Sequence, residues 1–117
     1  MKHHIPFIAL ALFFGGQALA AQPEGLEGAK AAYQNICQSC HGQKGDGKGA
    51  IAPTLRTKPK DFNKLTNKSE EHLFKVIREG GVAVKLSPMM PAFGTQLKDD
   101  EIREMVRYVL ALGQAKK

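Results

Sequence analysis

Cys37-Gln38-Ser39-Cys40-His41 places two thiols and an imidazole within five residues. On one helical turn, positions 37, 40 and 41 stand on neighbouring parts of a face, so both thiols and the ring can meet a single flat ligand. Two cysteines three apart, with histidine directly after the second, form the attachment pattern for a c-type haem. The thiols would add across the two vinyl groups to give thioethers, and a His41 ring nitrogen would bind the iron from the proximal side. Gly42 follows at once and allows the open backbone that lets the chain leave the turn.

Two other chemistries share part of this pattern. A redox-active CxxC pair wants a strand-helix-strand context, which the flanking residues do not offer. A zinc site would need two further ligands at similar spacing, yet these are the only cysteines and His72 is the only other histidine beyond the first four residues.

Iron held by one histidine has a second axial position. Ser87-Pro88-Met89-Met90-Pro91-Ala92-Phe93-Gly94 offers a soft, neutral thioether for it on a segment stiffened by prolines. Pro91 restricts Met90 to extended backbone. Neighbouring side chains of an extended chain point opposite ways, so only one of Met89 and Met90 should face iron. His72 is the fallback for a second nitrogen ligand.

Helices must carry these groups. Leu26, Ala29, Tyr33, Ile36, Cys37 and Cys40 recur at three- and four-residue steps and predict a helix over 26–40 whose apolar stripe runs into the thiols. Ser69 as N-cap, Glu70 and Glu71 in the first turn and Gly80-Gly81 at the end predict a second helix, with Leu73, Val76 and Ile77 inward and Phe74 flanking. Ile102, Met105, Val106, Val109 and Leu110 predict a third over 99–112, ended by Gly113 and capped by Asp99 rather than Lys98.

Between the helices, Gly42-Gln43-Lys44-Gly45-Asp46-Gly47-Lys48-Gly49 nearly matches a phosphate-binding loop. Gly49 stands where Ser or Thr must hold magnesium, however, and no strand precedes it. A tight loop at the ligand's edge is the better reading. A ligating histidine usually donates its other ring N–H to a carbonyl. The 52–55 segment offers the nearest candidate, with Leu55 available to pack on the ring. Residues 56–68 read as a basic loop anchored inward by Phe62 and Leu65.

The first twenty residues differ in character. Lys2 precedes an apolar run over 5–14, and Ala18-Leu19-Ala20 is a small-x-small cleavage site, so 1–20 read as a signal peptide and 21–117 as one small domain. The alternative is an uncleaved anchor, although the run is short for a bilayer span. The chain is basic, with a net charge of +6. Export and the lack of interleaved aromatics disfavour nucleic acid, which leaves an acidic protein partner as the specific expectation.

With both motifs in place, the chain resembles a small class I bacterial cytochrome c of the exported, monohaem kind. The likeness spans Tyr33 before the Cys37–His41 motif and Gly42, the Gly45-Asp46-Gly47 turn, Pro53 and Leu55, Asp61-Phe62, Ile77 through Gly80, Met90 through Gly94, Leu97, and Glu101-Ile102 through Tyr108. It implies an all-α fold of three main helices packed around one covalently attached haem c. It further implies Met90 as the axial methionine, Pro53 as the residue whose carbonyl supports His41, and a crossing of the first and last helices near Tyr33 and Tyr108.

The function expected is one-electron transport by a periplasmic, monomeric carrier with no membrane span after cleavage, not an enzyme. Lys44, Lys48 and Lys85 would steer its redox partners. The alternatives are a haem-bearing subunit of a larger oxidoreductase and a five-coordinate haem enzyme or gas-binding protein.

Overall fold

A computed structural model describes residues 25–115. The signal segment 1–20 lies outside the described residues. The described chain is all-α: α1 (Glu27–Ile36), α2 (Gln38–His41), α3 (Glu70–Glu79) and α4 (Asp99–Gln114), with 3-10 turns at Ala52–Thr54, Phe62–Lys64 and Val82–Val84. The three longer helices are those the periodicity predicts.

The expected helix over 26–40 is divided. Cys37 N–H closes α1 on the Tyr33 carbonyl at 2.9 Å, and the Cys37 carbonyl then accepts from the N–H groups of Cys40 and His41, opening α2. Cys37 is therefore the C-cap of α1 and the N-cap of α2, and the break falls at the first thiol.

α3 starts as expected, with the Ser69 hydroxyl accepting from His72 N–H at 3.1 Å. Its buried face is Leu73, Phe74 and Ile77; Val76 is only half-buried, so Phe74 replaces it as a core position. α4 starts at Asp99, as expected, but its cap is not Asp99. Lys98 is its N-cap, because the Glu101 carboxylate accepts from the Lys98 backbone N–H at 2.8 Å and the cap needs nothing from the lysine side chain. Its end also differs: the helix runs past Gly113, which sits against the Phe62 carbonyl so closely that a Cβ would run into it.

The core lies where α4 meets the other two long helices. Ile102, Met105 and Val106 of α4 are almost completely buried, with Tyr33 of α1. Phe62 and Phe93 complete the cluster from the loops. Each such side chain contributes about 1.5–3 kcal/mol by leaving water, which sets the helix angles more firmly than any single polar contact. The Tyr33 and Tyr108 rings lie 5.3 Å apart at 55°, at the crossing of α1 and α4 that the resemblance implies. No helix among the described residues is long and apolar enough to cross a membrane.

Candidate haem-binding site

α2 is one turn long and would leave its last carbonyls without partners. The glycine-rich loop supplies them. Gly47 N–H donates to the His41 carbonyl at 2.8 Å, Gly49 N–H to Cys40 at 3.0 Å and Ile51 N–H to Ser39 at 3.1 Å. Gly49 must be glycine for this, since a Cβ would overlap the Ser39 carbonyl and the Cys40 backbone. Gly42, at φ +84°, turns the chain away from the motif, and its buried carbonyl accepts from the Tyr33 hydroxyl at 2.7 Å. The loop is thus a backbone cap on the Cys37–His41 turn.

Both thiols are free and half-buried. Burial, followed by the neighbouring Cys40, pushes the Cys37 thiol up to about 11. A redox-active CxxC cysteine needs the opposite shift, so Cys37 is not an activated thiolate.

His41 is half-buried, and its ring stacks on Phe62 with centroids 4.8 Å apart and planes at 27°. Its Nδ1 lies 3.2 Å from the Lys60 carbonyl. A carbonyl can only accept, so Nδ1 carries the proton and Nε2 keeps its lone pair. Burial lowers the His41 pKa, with the Lys60 carbonyl opposing, and the neutral ring that a metal needs is favoured.

The carbonyl beside Nδ1 is Lys60's, not that of Pro53. Pro53 lies exposed in the 3-10 turn, and Leu55 just beyond it is half-buried. The reason is backbone pairing. Phe62 N–H donates to the Gly45 carbonyl at 2.7 Å, and Gly47 packs against the Pro59 carbonyl, which draws 59–62 rather than 52–55 alongside the histidine.

The methionine segment is held by the end of α3. Phe93 N–H donates to the Ile77 carbonyl at 2.9 Å and Gly94 N–H to Arg78 at 3.0 Å, while Gly81 N–H donates to the Met90 carbonyl at 2.9 Å. This separates the two thioethers: Met90 packs against the core cluster, and Met89 is 47% exposed.

The donor set fits a haem. Among the described residues no three His, Cys, Asp or Glu side chains form a group that could hold a metal ion. Two free thiols, one imidazole with an available nitrogen, and an inward thioether on a distant segment instead suit a broad ligand touched at separate points.

Residues 24–109 match the family model described as cytochrome c oxidase, cbb3-type, subunit III. The chain belongs to that family. The match spans every element from α1 to most of α4, so the cbb3-type subunit III family accounts for the fold as a whole, and as a family of c-type cytochromes it implies a covalently bound haem c. A search of curated proteins finds no match.

Sequence reasoning did not find Lys60 as the partner of His41. A backbone carbonyl leaves no mark in a residue type, and only the Phe62–Gly45 pairing reveals it.

Proposed function

We propose that the chain is an exported, periplasmic one-electron carrier in which Cys37 and Cys40 tether a single haem c, His41 Nε2 is the proximal ligand and Met90 sulfur the distal one. The observation that carries this reading is the His41 ring, with Nδ1 beside the Lys60 carbonyl and Nε2 available, one residue after the second thiol. A haem bound there supplies a ferric/ferrous couple. The Lys60 carbonyl fixes the ring's tautomer and raises its basicity. Met90 contributes a soft donor without charge, which favours the reduced state. Held by both His41 and Met90, the iron would offer no open position to a substrate, and the chain would transfer electrons rather than turn one over. Residues 1–20 are removed on export.

The test is the absorption spectrum of the purified protein. Colour that stays with the chain after denaturation, and is lost in Cys37→Ala/Cys40→Ala, supports the tether. Loss of sulfur ligation in Met90→Ala supports the ligand. A colourless chain from a host that matures such proteins overturns the reading, and rapid carbon monoxide binding by the native protein at neutral pH would point instead to an open iron position.

A second reading has its own support in the family's description as an oxidase subunit. Here the same domain serves as a docked component of a larger oxidoreductase. Co-purification with a partner through a salt wash favours it over the free monomeric carrier.

A further inference from the structure

Charge is unevenly divided over the surface. Between residues 44 and 68, Lys44, Lys48, Arg56, Lys58, Lys60, Lys64 and Lys68 are all exposed. The two carboxylates of that stretch are half-buried and engaged with neighbouring groups, Asp61 with the Asn63 side-chain amide at 2.8 Å as well as with backbone. Asp46 accepts from Lys48 N–H at 3.0 Å and Asp61 from Asn63 N–H at 3.0 Å. Acidic side chains gather instead at the starts of α3 and α4, at Glu70, Glu71, Asp99, Asp100 and Glu101. A molecule so polarised turns one edge toward a negative surface as it approaches.

We propose that the edge formed by Arg56, Lys58, Lys60 and Lys64 is a docking surface for an acidic face of a partner protein, and that a partner seated there acts on His41 through the Lys60 carbonyl. The proposal rests on the haem electron-transfer reading above. Its second half follows from geometry. The residue whose side chain stands in the basic edge is the one whose carbonyl lies 3.2 Å from His41 Nδ1. The same segment is joined to the loop that caps the histidine, through Phe62 N–H to the Gly45 carbonyl and Gly47 N–H to the His41 carbonyl. A shift of the 58–62 backbone therefore changes the hydrogen bond that sets the ligand's basicity. An acidic protein fits this edge better than a lipid surface. The exposed large apolar side chains among the described residues are Ile51, Val82, Leu86 and Met89, none of them within 56–64, so nothing there would insert below the headgroups.

The experiment uses the haem-loaded, reduced, isotope-labelled protein titrated with poly-L-glutamate at an ionic strength on the order of 10 mM, with anionic phospholipid vesicles as a separate arm. The largest amide shifts are expected over 58–64, and the His41 Nδ1–H resonance should move with them. Arg56→Gln/Lys58→Gln/Lys64→Gln should weaken poly-L-glutamate binding by about tenfold or more, and Lys75→Gln on α3 should not. Shifts centred on 82–92, or unaltered binding by the triple variant, overturn the surface. Binding at 58–64 with the His41 resonance unmoved overturns the coupling. Vesicles bound at this edge while poly-L-glutamate is ignored overturn the choice of partner. A chain without covalent haem fails at the spectrum before any titration, which separates that failure from loss of docking alone.

Discussion

The Tyr33 hydroxyl donates to the Gly42 carbonyl at 2.7 Å inside the core, tying α1 to the residue that follows the candidate histidine ligand. Tyr33→Phe leaves that carbonyl with the Gly45 N–H alone, at 3.1 Å, at a cost of about 0.5–1.5 kcal/mol in urea unfolding. The pH dependence follows from the same contact. Burial first, then Cys37, raises the Tyr33 pKa well above its ordinary value. The hydroxyl's stabilisation is therefore complete below about pH 10, where unfolded tyrosine titrates, and is lost as pH climbs from there toward the folded value. Wild type should weaken over that alkaline window more steeply than the Phe variant.

Gly49 and Gly28 should answer oppositely to alanine. A Cβ at Gly49 overlaps the Ser39 carbonyl, so Gly49→Ala opens the cap on α2, at a cost of about 1–3 kcal/mol, and lowers the yield of haem-loaded protein. A Cβ at Gly28 meets nothing within 4 Å, and Gly28→Ala should stabilise α1 by about 0.5–1 kcal/mol. Thermal unfolding of both variants checks the contrast.

At the start of α4, Glu101→Ala removes the acceptor for Lys98 N–H and should cost about 1 kcal/mol, while Glu101→Gln, whose amide oxygen can still accept, should cost less. The nearby Arg78–Asp99 pair, 3.0 Å long but exposed, should be worth under about 1 kcal/mol and fade with added salt. Chemical unfolding at two salt concentrations separates these two contributions.

The paired methionines make a controlled comparison. Met90→Ala should lose sulfur ligation and lower the reduction potential, whereas Met89→Ala, at an exposed position, should leave both spectrum and potential close to wild type. A potentiometric titration of the two variants reads the difference, and equal effects would remove Met90 from the ligand role.

What sequence could show was set by where the information sits. The Cys37–His41 spacing, the α4 stripe from Ile102 to Val109 and the Ser69 cap are written in side chains, and the structure carries each of them. The division at Cys37 was hidden because its residue type suits a helix interior and the apolar period continues across it. Lys98 looks like a poor cap for a related reason: the group at work is its backbone N–H. Gly113 looks locally like a terminator, whereas its role is a close approach to Phe62, a contact 51 positions distant that no local pattern encodes.

The bonds from Phe93 and Gly94 to the Ile77 and Arg78 carbonyls have a bearing on motion. The last turn of α3 and the strap bearing Met90 cannot open separately, because each supplies what the other lacks. Deuterium should enter the amides of Gly80, Gly81, Phe93 and Gly94 at a common rate, as one cooperative unit. Withdrawal of Met90 from its proposed ligand position would then require the helix end to fray with it, a larger event than the swing of a single side chain.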